Sequence, residues 1–149
     1  MPRKVFVSGC FDLLHSGHVA FLQEAATYGD LYVALGSDAT VYGLKGRLPI
    51  NNQDERLYMV QAVSGVKVAF VSSGSGMLDF AAELRQIKPD VFIVNADGNI
   101  PQKEALCRGE GIEYHVLQRQ WGTALLCPAT ILALVLQLPP IIRGVGRLP

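Results

Sequence analysis

The stretch VFVSGCFDLLHSGHVAF, residues 5–21, sets how the rest of the chain is read. Val5, Phe6 and Val7 form an apolar run that reads as a buried strand. Ser8 and Gly9 break it, a short loop follows, and an apolar-periodic helix begins near Gly17. His15 and His18 stand between strand and helix, with Gly17 between them. A helix N-terminus behind a strand presents unpaired N–H groups and the positive end of the helix dipole, which together suit an anion. Two imidazoles beside it add donors for phosphate oxygens. Gly17, lacking a Cβ, is expected to let a phosphate approach the backbone.

Outward from this point the pattern alternates. Residues 3–8 read as the first strand. Residues 18–28 carry Val19, Phe21, Leu22, Ala25 and Ala26 on one helical face, with Gly29 expected to close the helix. Residues 31–35 are a second apolar strand, which makes a βαβ unit with a right-handed crossover. Residues 39–52 read as loop. Asn52 or Gln53 opens a helix with Asp54 and Glu55 in its first turn, and Gly65 is expected to end it. A third strand covers 66–71, the loop 72–76 (SSGSG) follows, and a helix is predicted over 77–87 before Pro89. A fourth strand over 91–94 is apolar throughout and reads as buried on both faces. A short helix over 101–109 and a fifth strand over 112–117 complete the series.

This alternation predicts a single doubly wound, Rossmann-like α/β domain: a five-stranded, mostly parallel sheet with helices on both faces. Ligands in such sheets bind beyond the carboxyl ends of the strands, where strand order reverses. The loops there hold His15, His18, Lys45, Asp97 and Arg119.

The residues GCFDLLHSGH resemble the signature of the cytidylyltransferase-like nucleotidyltransferases. H-x-G-H alone is a weak pattern; joined to G-C-F-D behind a strand and before a helix it is specific. LKGR and DERLYMVQAV extend the resemblance, which runs from about Arg3 to Arg119. It implies transfer of a nucleotidyl group, CMP from CTP or alternatively AMP from ATP, to a small phosphorylated alcohol or sugar, with release of pyrophosphate and with Mg2+ as cofactor. It implies His15, His18 and Lys45 as catalytic contacts to phosphate, and Gly9, Cys10, Phe11, Gly17, Asp97 and Arg119 as nucleotide contacts. The bland alternatives remain beside these. Lys45 and Arg47 also read as solvated loop cations, and Asp97 as a turn former. Asp12 either serves the site or holds its loop by side-chain to backbone bonds. Arg56 matches a family arginine, yet could equally pair with Asp54 or Glu55. His115, within an apolar strand, reads as a core or edge histidine. No residue set reads as a protein metal cage. A class I aminoacyl-tRNA synthetase fragment shares H-x-G-H, but no K-M-S-K-S sequence and no basic surface accompany it.

The chain has 149 residues, half of them hydrophobic, and a formal net charge of zero, which gives no electrostatic case for nucleic acid or an anionic membrane. Cys10, Cys107 and Cys127 form no C-x-x-C pair and fit a reducing cytosol. MPRKVFVSG is too quickly structured for a signal peptide, so a cytoplasmic protein is expected. Relatives in the family often dimerise, which leaves a homodimer open. Residues 1–119 are assigned to the nucleotidyltransferase domain and 120–149 to an atypical apolar tail. From Gln120 to Ile142 there is no charged residue, and Thr123 and Thr130 are the only hydroxyl residues where the family has a Ser/Thr-rich helix start. The tail reads as a helix packed on the sheet or a second subunit, or as altered coding. Pro128, Pro139 and Pro140 argue against a membrane anchor. A nucleotide-binding module that has lost turnover is the alternative function.

Overall fold

The computed structural model describes residues 1–118. Five strands, β1 (Lys4–Gly9), β2 (Asp30–Leu35), β3 (Val66–Val71), β4 (Val91–Asn95) and β5 (Glu113–Leu117), form one sheet in the order β3-β2-β1-β4-β5, all parallel. Strand order reverses between β1 and β4, so the crevice expected for a ligand opens beside the end of β1.

Helices α1 (Ser16–Ala26) and α3 (Gln53–Gln61) cover one face, where Val5, Val7, Val33 and Ile93 meet Leu22, Ala25 and Val60. Helices α4 (Ala81–Ile87) and α5 (Pro101–Glu110) cover the other, where Phe6, Ala34, Phe92 and Val94 meet Phe80, Leu84 and Cys107. The alternation of β1 produces this split: Val5 and Val7 point one way, Phe6 the other. Phe6 stacks on Phe92 with ring centroids 5.4 Å apart, the aromatic centre of the second layer.

Several boundaries differ from the sequence expectation. The segment read as loop over 39–52 contains α2 (Asp38–Lys45). Ser37 caps it by accepting from the Thr40 N–H, and Gly46 closes it in the left-handed conformation, φ 66°. Gly43 inside the helix and the loop-like residues after it masked the two caps. Helix α1 starts two residues earlier than predicted, because His15 itself is the N-cap. It ends at Thr27, so Gly29 is not its cap. Gly29 is needed for another reason: φ is 150°, and a Cβ there would lie 2.1 Å from the Arg3 carbonyl oxygen. Gly65 likewise follows, and does not form, the C-cap of α3, which is Ala62. The helix predicted over 77–87 is broken at Asp79 and Phe80, with a 3-10 turn at Gly76–Leu78 before α4. Asn52 caps α3 as expected, and Glu55 returns the bond to the Asn52 N–H.

Arg119 and the tail 120–149 lie outside the described residues. Among the described residues no helix is long and apolar enough to cross a membrane.

Candidate active site

The loop between β1 and α1 is bent by two residues with positive φ, Phe11 at 50° and Leu13 at 53°. Non-glycine residues adopt that conformation at a cost of about 1–2 kcal/mol each, so surrounding bonds must hold them there. Phe11 folds back against bare Gly9, where a Cβ would come within 3.0 Å of its ring. It is buried and meets the His18 ring edge-on, centroids 5.4 Å apart. Asp12, also buried, is the loop's anchor. Its carboxylate accepts from the Ile50 N–H at 3.0 Å and the Asn51 N–H at 3.3 Å, and from Arg47 at 3.3 Å. Asp12 and Arg47 therefore join the site loop to the segment before α3.

Arg56 has no exposed surface at all. Its guanidinium donates to the carbonyls of Cys10 at 2.7 Å, Gly36 at 2.8 Å and Asn51 at 3.0 Å, and to Asp38 Oδ1 at 2.8 Å. The expected partners Asp54 and Glu55 take no part, because they lie on the exposed first turn while Arg56 points inward to the ends of β1 and β2. A planar fork with five donors satisfies several converging carbonyls at once, which an ammonium could not. Arg56 supports the site from beneath.

The two imidazoles stack, ring centroids 3.9 Å apart and planes inclined by 25°. They form a reciprocal cap: the Gly17 N–H donates to His15 Nδ1 at 3.1 Å, and the His15 N–H to His18 Nδ1 at 3.4 Å. With each Nδ1 accepting, the neutral rings carry their proton on Nε2. This corrects one expectation. The Gly17 N–H is used by His15 and does not face outward. Gly17 lacks a side chain because a Cβ would lie 2.9 Å from the His15 ring, so its role here is to let that ring lie across the first turn.

The structure brings His15, His18, Gly17, Phe11 and Gly9 together, with Asp12, Arg47 and Arg56 packed against or below their loop. Lys45 is exposed on the last turn of α2, and Asp97 is exposed in the 3-10 turn Ala96–Gly98 after β4. Asp97 thus follows the carboxyl end of β4, and Lys45 stands in the last turn of the helix that follows β2. His115 lies on edge strand β5, its Nε2 3.3 Å from the Tyr28 hydroxyl.

Two charged groups at this edge were not singled out from sequence. Asp79 is buried, and burial first, then Glu83, raises its carboxyl above the ordinary value. Lys103, half-buried on α5, donates to the Gly98 carbonyl at 3.2 Å, and its burial lowers the ammonium below its ordinary value. Asp79 was concealed within an apparent helical stripe, and Lys103 in the first turn of a short helix reads as solvated. Periodicity offers no signal for either.

The profile of the cytidylyltransferase-like family matches residues 6–105. FAD synthase from Methanopyrus kandleri is 40% identical over 108 residues, covering 70% of this chain and 69% of its own. The bifunctional protein HldE from Aliarcobacter butzleri is 40% identical over 97 residues, which span 64% of this chain and only 20% of that protein. A lipopolysaccharide core biosynthesis protein from Thermoplasma volcanium shares the fold, with a TM-score of 0.67, 24% identity and coverage of 82% and 99% of the two chains. The matched span contains the whole β1–α1 cap and the arginine beneath it, and on that span the chain belongs to the cytidylyltransferase-like family of nucleotidyltransferases.

Proposed function

We propose that the protein transfers a nucleotidyl group from a nucleoside triphosphate to a small phosphorylated acceptor. An acceptor phosphate oxygen attacks the α-phosphorus; the bond to the β-phosphate bridge oxygen breaks, and pyrophosphate leaves with its electron pair. The nucleophile is already anionic at neutral pH, so no general base or covalent intermediate is needed. The chain's task is to hold two polyanions in line and to spread charge over the equatorial oxygens.

The observation that carries this reading is the reciprocal cap of His15 and His18. It holds both rings by their Nδ1 atoms, which supports the proposal that each Nε2–H donates to a phosphate at the mouth of α1. Lys45, exposed at the end of α2, is the proposed cation on the acceptor side. Cys10 and Phe11 are the proposed backbone track of the nucleotide, and Asp97 after β4 is a further proposed contact; Arg119, proposed from the sequence for the same role, lies outside the described residues. Among the described residues no group of three metal-ligating side chains occurs. Mg2+ accompanying the triphosphate would be carried mainly by phosphate oxygens and water, the usual way this ion accompanies nucleotides. When bound it would neutralise charge on the triphosphate.

CTP was expected as donor from the motif resemblance; the likeness to FAD synthases favours testing ATP first. The test is pyrophosphate release from ATP or CTP against glycerol 3-phosphate, ethanolamine phosphate, sugar 1-phosphates and flavin mononucleotide. Release with at least one pair, lost in His15→Ala, supports the reading; no release with any pair at high enzyme contradicts it. A tail with only Thr123 and Thr130 as hydroxyl residues favours a second reading, a nucleotide-binding module without turnover. Calorimetric nucleotide binding that needs both histidines, without product, would select it.

A further inference from the structure

The limb that carries Lys45 stands away from the core. Val41 is the last buried residue of α2, and residues 42–46 are exposed throughout. The apolar side chains on either side of the Gly46 turn follow suit: Tyr42, Leu44, Leu48 and Ile50 are all exposed. Burial of apolar surface, which fixes most segments of a fold, therefore contributes little between Tyr42 and Ile50. The limb is fixed at its two ends. Before it stand the Ser37 cap and Val41; after it the Asn51 carbonyl accepts from Arg56. Its middle needs a polar tie.

Arg47 provides that tie. Its Nη1 donates to Asp12 Oδ2 at 3.3 Å and to the Leu48 carbonyl, one residue on, also at 3.3 Å. The Arg47 side chain is 30% exposed and that of Asp12 only 3%, so the cation reaches inward to a carboxylate withdrawn from water. Such a carboxylate needs a counter-charge as well as hydrogen-bond donors. Holding Arg47 there also holds the backbone from Gly46 to Leu48. Lys45 lies two residues before the tie, and Asp12 lies between Phe11 and Leu13, the two positive-φ residues of the histidine loop. The Arg47–Asp12 pair thus joins the segment bearing Lys45 to the segment bearing His15 and His18. The Ile50 and Asn51 N–H groups also donate to Asp12. These backbone bonds do not depend on the Arg47 side chain, so they anchor the histidine loop while Arg47 anchors the limb.

We infer that Arg47 is a positioning residue: acting through Asp12, it sets where Lys45 stands relative to His15 and His18 during nucleotidyl transfer. The inference rests on the nucleotidyl-transfer reading and deepens it by naming what aligns the two halves of the site. In this role Arg47 touches neither reactant. A cation on an exposed limb stabilises a transition state only when the limb is held in place, and a displacement of about 1 Å can cost about 100-fold in rate. An arginine that served the fold alone would behave differently. Its loss would loosen the histidine loop and weaken nucleotide binding, with or without Lys45.

The experiment is a double-mutant cycle in the full chain. Wild type, Arg47→Met, Lys45→Met and the double variant are compared for pyrophosphate release with the substrate pair that gives turnover, and their nucleotide affinities are measured by calorimetry. Melting curves establish that each variant is folded. If Arg47→Met is not, Arg47→Lys, which keeps the charge on a shorter side chain, replaces it in the cycle. The expected result is a fall in kcat of about 10- to 100-fold in each single variant, with the nucleotide affinity of Arg47→Met within about threefold of wild type. The double variant is expected within about threefold of Lys45→Met, because Arg47 then has no cation left to position. Losses that multiply in the double variant, an unchanged kcat in either single variant, or a fall in nucleotide affinity that matches the fall in kcat of Arg47→Met would each overturn the inference and leave the transfer reading in place. Release of no pyrophosphate by wild type with any pair would contradict the transfer reading, and the inference with it.

Discussion

Replacing Arg56 by methionine keeps most of its volume and removes all four of its bonds, to the carbonyls of Cys10, Gly36 and Asn51 and to the Asp38 carboxylate. The side chain is fully buried, so water cannot take over for the guanidinium without opening the structure. Removing one partner of a buried charged pair costs about 3–5 kcal/mol, and the stranded carbonyls act in the same direction. In a domain of this size that corresponds to a fall of roughly 10–15 °C in Tm. Arg56→Lys retains the charge but cannot fork to carbonyls on three segments, so about half the loss is expected. Urea denaturation followed by circular dichroism measures both. A double-mutant cycle with Asp38→Asn should return a coupling of about 1–3 kcal/mol, since Asp38 is one-third exposed while Arg56 is not. An Arg56→Met variant within about 1 kcal/mol of wild type would refute the reasoning, because the converging carbonyls would then have found other partners.

Gly17→Ala separates the cap from the helix. Alanine favours the helix by up to about 1 kcal/mol over glycine, but its Cβ meets the His15 ring at 2.9 Å. Stability should stay within about 1 kcal/mol of wild type while nucleotide affinity falls about tenfold, read by melting and by calorimetry; unchanged affinity would count against the fixed ring geometry. Nitrogen chemical shifts of the neutral imidazoles should report Nε2–H for both His15 and His18; an Nδ1–H form at either would contradict the reciprocal cap. Burial pushes the Cys107 thiol up from an ordinary 9.0 to about 11. Its folded value exceeds its unfolded one, so the native state keeps a proton that the unfolded chain loses, and stability falls as pH rises through that window. The loss is on the order of 2 kcal/mol, and denaturation of Cys107→Ala should lack it; parallel pH profiles for variant and wild type would exclude the effect.

The sequence was most informative where one residue type has one physical use. The apolar runs of β1, β2 and β4 needed no partner to be recognised, and Asn52 with Glu55 marked the start of α3 through chemistry confined to four residues. Helix α2 was missed because its caps, Ser37 and Gly46, bracket a segment with its own interior glycine and little apolar periodicity. Gly29 was read as a helix cap, which it is not, and the steric demand at Gly17 was not legible in the sequence. Each makes room for a group, the His15 ring and the Arg3 carbonyl, whose position depends on the fold and not on neighbouring residues. Arg56 shows the same limit. Its partners are 5, 18, 20 and 46 positions away, so no local spacing could distinguish a buried fork from a surface ion pair.

The central claim is that a polyphosphate binds at the mouth of α1 through the paired imidazoles. Calorimetric titration of wild type and the His15→Ala, His18→Ala double variant with ATP and CTP tests it most directly. Each hydrogen bond to a charged phosphate is worth about 1.5–3 kcal/mol. The account predicts binding by wild type and a loss of about 100-fold or more in the double variant, with its fold retained. Equal affinity in the two proteins would contradict it.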